Sequence, residues 1–381
     1  MKAIDRALNS GIATPFYLYD VRLLEDTLSE IRRSIGDRPV KVHYAVKANG
    51  TTGILRIISR EGFGADCVSG GEIEAAVHAG FRPADIFFAG VGKTDSEIEL
   101  GLRQGIGCFN VESLEELRII ASIAESCGIK APVALRINPN IDAHTHHYIT
   151  TGLEENKFGI SADDMEEGVR ICMDNAWLKL RGLHFHIGSQ ITTMEPFMIL
   201  CERINGYQER LDSIGVKLEF VNVGGGLGID YDNPEENTIP PFQAYFDALM
   251  SHIRLREGQT LHCELGRSVV AQCGSLISRV VLVKKGKEKN FAVLDAGMND
   301  LLRPALYGAH HKIVNLSSPD APMEKYDVVG PVCESSDCFG IDEMLPRLRR
   351  GDYVAILSAG AYGQSMASTY NMRPLPRSFF L

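Results

Sequence analysis

Lys47 stands in the run His43-Tyr44-Ala45-Val46-Lys47-Ala48-Asn49, directly after a short apolar stretch. An ammonium carried to the end of a buried element needs a partner or a lowered pKa. A desolvated lysine amine is suited to condensing with a carbonyl group. Much later comes Gly224-Gly225-Gly226-Leu227-Gly228. Backbone N–H groups free of Cβ atoms can approach phosphate oxygens closely. Such a run is often no more than a turn, and a dinucleotide fingerprint needs a different βαβ context with an acidic residue about 20 positions on. Following a strand, as here, the run suits a phosphate better.

An amine and a phosphate site together suggest pyridoxal phosphate. Glu264, in Glu264-Leu265-Gly266-Arg267, then gains a role: a carboxylate at the ring nitrogen keeps it protonated and strengthens the electron sink that decarboxylation needs. Its plain alternative is a salt bridge with Arg267. His186, in His184-Phe185-His186-Ile187-Gly188-Ser189, can lie flat against such a ring. His184 and His186 also have metal-ligand spacing, and His144, His146 and His147 add imidazoles. A metal-dependent barrel hydrolase is therefore the rival from another class, although it leaves the glycines and the 264–267 run unexplained.

These residues need a scaffold that gathers them. Runs 42–46, 64–67, 86–89, 108–111, 133–137, 182–187, 220–223 and 261–264 read as strands, with amphipathic helical patterns between them. Eight βα units predict an α/β fold, a (β/α)8 TIM barrel whose chemistry sits at the C-terminal strand ends. Lys47, Asp66, His186, the glycines and Glu264 all fall there. After Arg267 the rhythm changes to runs 275–285, 291–296, 326–332 and 353–357, separated by Gly, Pro, Asn and Asp. This predicts a C-terminal antiparallel β domain. The expected boundaries are 25–267 for the barrel and 268–381 for the β domain, with 1–24 (through Phe16–Tyr19) as a possible further strand source.

The net charge of −10 and the lack of a Lys/Arg run exclude the electrostatic footprint of a nucleic-acid binder. No stretch reaches the roughly 18 apolar residues of a membrane helix, and the N-terminus lacks a signal-peptide pattern. Nine scattered cysteines without a CxxC pair suit reduced thiols in a cytoplasm, most of them small buried hydrophobes.

The runs HYAVKAN (43–49), GADCVSGGE (64–72), ENKFGI (155–160), HFHIGSQ (184–190), NVGGGLGIDY (222–231), ELGR (264–267), DAGMNDLLRPALY (295–307), GPVCESSD (330–337) and SAGAYG (358–363) cover nearly the whole chain. Together the sequence resembles the fold-type III pyridoxal-phosphate decarboxylases, and within them the branch acting on diaminopimelate. The resemblance implies that Lys47 carries pyridoxal 5′-phosphate as a Schiff base, with His186 stacked on the ring and Ser189 beside it. Gly224, Gly225, Gly226, Glu264, Gly266 and Arg267 are implied as phosphate and pyridinium contacts, and Tyr362 as part of the cofactor and substrate shell. Arg267, Arg303, Tyr307 and Glu334 are implied as substrate contacts, and Cys333 as the proton donor. It also implies a homodimer in which Cys333 and Glu334 reach across from the second copy. Many relatives have proline where this chain has Leu265, which leaves the flanking charged side chains available.

Relatives also act on ornithine, arginine or carboxynorspermidine, so the fold does not name the substrate. The basic-amine enzymes place aspartate directly after the cysteine; here that position is Glu334. A distal ammonium would face Glu334, and a distal carboxylate would face Arg267 and Arg303 bidentately. That points to meso-2,6-diaminopimelate, with a D-ornithine/lysine or carboxynorspermidine type as the alternative. A racemase fits poorly, because its ring nitrogen normally faces arginine.

Overall fold

The computed structural model describes residues 12–141 and 157–381. The 144–147 imidazoles and the first two residues of the 155–160 run lie outside the described residues. The chain parts into two compact units, one from 28–228 and 241–266, the other from 1–27, 229–240 and 267–381. Among the described residues no helix is long and apolar enough to cross a membrane.

The described part opens on β1 (Phe16–Tyr19). Eight strands then close a barrel: β2 (Val40–Ala45), β3 (Gly64–Cys67), β4 (Ile86–Phe88), β5 (Cys108–Val111), β6 (Ala131–Arg136), β7 (Leu178–His184), β8 (Phe220–Asn222) and β9 (Thr260–Leu265). Every neighbouring pair is parallel, and β9 returns to β2 with Glu264 opposite His43. The intervening helices are cut by their own capping residues. Ser69, Thr94 and Ser113 each accept the amide of a glutamate three positions on. These satisfy orphan N–H groups at the first turn, so the serine of the 64–72 run serves as a cap.

Five barrel strands end before their expected runs do, and two of these ends bear on the site. β2 stops at Ala45, and Val46–Ala48 make one 3-10 turn bearing Lys47. Asn49 drives this: its side chain accepts the Thr51 amide at 3.0 Å and its carbonyl accepts the Tyr44 hydroxyl at 3.0 Å. β7 stops at His184, so His186 lies in the loop beyond it.

A layer of rings fills the barrel. His43 packs on Phe87 with centroids 4.2 Å apart, and His262 stacks on Phe220 at 4.5 Å. Glycine makes the room: a Cβ at Gly64 would meet His43 Nδ1 at 2.4 Å, and one at Gly182 would meet the Phe220 ring at 2.5 Å. His43 Nε2 and His262 Nδ1 are 3.0 Å apart, so one donates and the other accepts. Burial, first of all, pushes His43 down to about 4 and His262 well below its usual value. An unfolded histidine takes a proton near 6.5, so the unfolded chain binds more protons and stability is lost as pH falls from 6.5 towards 4. Urea midpoints measured from pH 7 to 4 are expected to fall, and His43→Gln to flatten the decline; an unaltered slope would assign the acid sensitivity to other groups.

The second unit is one eight-stranded sheet. It contains β1, β10 (Gly274–Lys285), β11 (Asn290–Leu294), β12 (Ile313–Asn315), β13 (Met323–Val329), β14 (Cys338–Pro346), β15 (Tyr353–Ile356) and β16 (Arg377–Phe380). The order is β12-β15-β10-β11-β13-β14, with β1 between β10 and β16. Most pairs are antiparallel, as the alternating runs suggest; β11 with β13 and β1 with β16 are parallel. Edge strand β14 hid in the sequence because Gly340, Asp342 and Pro346 interrupt it and Ile341 and Met344 point to solvent.

Candidate active site

Within the barrel unit, the C-terminal strand ends gather Lys47, Asp66 and Glu264. Lys47 Nζ lies 3.6 Å from Asp66 Oδ2; the lysine side chain keeps 40% exposure while Asp66 has none. Both Asp66 oxygens are buried without a hydrogen-bond partner. Glu264 is the opposite case. Its Oε1 accepts Asn222 Nδ2–H at 2.7 Å and Asn110 Nδ2–H at 3.1 Å, and Oε2 accepts His184 Nε2–H at 2.9 Å.

These surroundings drive the two carboxyls apart. Burial works against ionising Glu264, but the cationic and N–H partners His184, Lys47 and His186 outweigh it and hold the carboxylate well below its usual range. Burial, and then the charge on Glu264, push Asp66 well above its usual value, with Lys47 pulling the other way. The same barrel end thus favours the charged form of one buried acid and the neutral form of its neighbour, a separation typical of sites built for proton chemistry.

The glycine run follows β8 with no room for side chains. A Cβ at Gly224 would meet the Phe185 carbonyl at 2.3 Å, and one at Gly225 the Glu264 carbonyl at 2.1 Å. Gly224 and Gly226 have φ of +71° and +120°, which L side chains rarely adopt. The Gly225 N–H donates to His186 Nδ1 at 3.2 Å, fixing that imidazole with its proton on Nε2. Ser189 is half-buried in the same loop. Gly266 packs against Ala45 and Ala48, whose Cβ atoms would lie 3.0 and 3.1 Å from an added Cβ.

The second unit holds the arginines. Arg267 and Arg303 are each only 6% exposed. Arg267 Nη1–H donates to the Tyr231 hydroxyl at 2.7 Å, and its guanidinium sits 5.0 Å from the Tyr362 ring. Tyr362 reaches it from a left-handed backbone, φ +56°, uncommon outside glycine. Arg303 lies 4.9 Å above the Tyr231 ring and donates to His311 Nε2 at 2.7 Å. Tyr307 shares the short helix Arg303–Tyr307 and influences Arg267 electrostatically. Cys333 and Glu334 are exposed, and their hydrogen bonds go to Asn371 and Tyr370 instead of to either arginine.

A profile described as pyridoxal-dependent decarboxylase, pyridoxal binding domain, matches residues 21–271. The chain is 55% identical to the diaminopimelate decarboxylase of Bacteroides thetaiotaomicron, across 97% of this chain and 95% of that one. It belongs to the diaminopimelate decarboxylase family. Among solved structures, that of the Helicobacter pylori diaminopimelate decarboxylase complexed with L-lysine covers 99% of this chain and 93% of its own, with a TM-score of 0.93 and 43% identity. The enzyme from M. jannaschii in co-complex with L-lysine covers 98% of this chain and 88% of its own, with a TM-score of 0.90 and 35% identity.

In this member of the diaminopimelate decarboxylase family, four residues beside the expected site residues were not singled out from sequence: Asn110, Asn222, Tyr231 and His311. The two asparagines carry a signal in retrospect, since each interrupts a fully buried strand run (Phe109-Asn110-Val111 and Val221-Asn222-Val223). A buried amide in such a run must have a polar partner. His184 proves to hold Glu264, and among the described residues no His/Cys/Asp/Glu cluster suited to a metal ion occurs.

Proposed function

We propose that the chain decarboxylates meso-2,6-diaminopimelate to L-lysine and carbon dioxide, with pyridoxal 5′-phosphate held on Lys47. The residues present fit that cofactor. Lys47 offers an amine beside an acid whose neutral form burial favours, and Glu264 is a carboxylate held in its charged form, suited to a ring nitrogen. The bare backbone of Gly224, Gly225 and Gly226, with Gly266, suits a phosphate, and His186 and Ser189 would flank the ring. When bound, pyridoxal phosphate supplies the sink for the electron pair left as carbon dioxide departs.

Lys47 would hold the aldehyde carbon of that cofactor, with the Asp66 carboxyl, whose neutral form burial favours, 3.6 Å from its amine. Glu264, fixed by Asn110, Asn222 and His184, would hold the cofactor by its ring nitrogen and favour the protonated ring. Tyr362 and Tyr307 enclose the substrate, and Arg267 and Arg303 take its distal carboxylate. Cys333 Sγ delivers the proton that replaces carbon dioxide, and Glu334 meets the distal ammonium, both from the second copy of a homodimer.

The observation that carries the substrate is the pair of buried guanidiniums. Two such groups, of which Arg303 makes no ion pair among the described residues, call for an anion, which lysine and ornithine lack at their distal ends. A site built for a polar group rejects an analogue without it by about 10⁴–10⁵-fold. With meso-diaminopimelate, L-lysine and L-ornithine offered separately to the holoenzyme, only the first should be consumed quickly. Arg303→Ala is expected to raise KM for it by about 10²-fold or more, the cost of losing a charged hydrogen-bonding partner. Comparable turnover of ornithine would sink the assignment.

A further inference from the structure

We infer that Tyr231 and His311 are positioning residues, a neutral brace that holds Arg267 and Arg303 side by side for one carboxylate and so sets the preference for a substrate bearing one. The inference rests on the carboxylate reading proposed above.

His311 is fully buried, and its tautomer follows from its partners. The Leu357 carbonyl, 2.9 Å from Nδ1, can only accept, so Nδ1 carries the proton. Nε2 is then a bare lone pair, and Arg303 Nη1–H donates to it at 2.7 Å. Burial first, then the charges of Arg303 and Arg267, push His311 down to about 3, so it remains an acceptor at neutral pH.

Tyr231 joins the two cations. Its hydroxyl accepts from Arg267, its ring face lies under Arg303, and its ring meets that of His311 edge-on, with centroids 5.1 Å apart at 78°. The phenol therefore fixes one guanidinium by its oxygen and the other by its π face. Arg303 makes no ion pair among the described residues, and its electrostatic neighbours include Arg267.

The neutrality of the brace is the point. Two guanidiniums held together repel, and a carboxylate in the place of His311 or Tyr231 would relieve that repulsion within the protein. An imidazole and a phenol supply the same geometry without adding a negative charge of their own. Guanidinium cannot discharge itself by losing a proton. A brace that adds no negative charge keeps Arg303 selective for a ligand that brings a negative group in the right plane.

The test uses the pyridoxal-phosphate-loaded enzyme with meso-diaminopimelate. Tyr231→Phe removes the oxygen that holds Arg267 and preserves the ring. His311→Ala removes the acceptor for Arg303, and His311→Gln restores an amide with one acceptor and one donor. Tyr231→Phe and His311→Ala are each expected to raise KM about tenfold, with kcat altered by less than about threefold. Thermal midpoint and cofactor absorbance should stay near wild type for Tyr231→Phe, and His311→Gln should recover most of the loss.

Arg303→Ala separates the two possible failures. If it raises KM while Tyr231→Phe and His311→Ala do not, the brace is wrong and the carboxylate reading stands. If Arg303→Ala leaves KM unchanged, that reading falls and takes the brace with it. If kcat and thermal midpoint drop alongside KM in both Tyr231→Phe and His311→Gln, the two residues are merely structural and the inference is overturned.

Discussion

Replacing Lys47 with alanine is expected to abolish reductive trapping of pyridoxal phosphate and to cut turnover by about 10³–10⁴-fold. In the wild type, borohydride should leave a pyridoxyl group on the peptide that contains residue 47. The reasoning is local. Lys47 is lifted off β2 by a single 3-10 turn, which aims its amine out of the barrel with 40% exposure, beside Asp66 at 3.6 Å. Burial favours the neutral form of Asp66, which weakens its hold on the amine. Alanine removes the only atom that can make the bond and disturbs little packing. A Lys47→Ala protein that still yields a covalent pyridoxyl peptide would refute the assignment.

The second large effect concerns Glu264. Glu264→Gln should lower kcat by about 10²–10³-fold, the usual cost of removing one preorganised electrostatic partner. The variant has a route to fold. Asn110 and Asn222 can still donate to its Oε1, and its amide would face His184 Nε2. His184 Nδ1 is buried without a partner, so the imidazole can move its proton there and accept at Nε2. Charge is lost and shape kept. The acid limb of stability reports the same group: with a folded carboxyl value below the unfolded 4.5, Glu264 contributes stability above pH 4.5 that fades as pH falls through the folded value. Glu264→Gln should remove that contribution. A variant with kcat within about threefold of wild type would make Glu264 structural.

The barrel was legible because parallel strands buried on both faces read as short β-branched and aromatic runs. All eight appear where such runs occur, and the early end of β2 traces to a side chain that bonds the backbone, that of Asn49. Lys47, Glu264 and the glycines were legible as residue types out of keeping with a core. What sequence could not supply was partnership. Tyr231 and Arg267 are 36 positions apart, and Asn110 and Glu264 are 154 apart, so their hydrogen bonds exist only after folding. His311, one of two adjacent histidines, looks unremarkable until Leu357 and Arg303 fix its two nitrogens. The β sheet was legible in type but not in full, since two of its pairings are parallel and β14 is broken by turn formers.

Residues 229–240 belong to the same unit as residues 267–381, although the rest of the barrel sequence separates them. A chimera joined at Arg267 would therefore import Arg303 and His311 from one parent and Tyr231 from the other. Recombination among relatives, natural or engineered, has to carry that short insert together with the C-terminal half for the arginines to keep their shared phenol. On the brace inferred above, substrate preference in this scaffold is inherited as two separate stretches of the gene, parted by residues 241–266, that must travel as a pair.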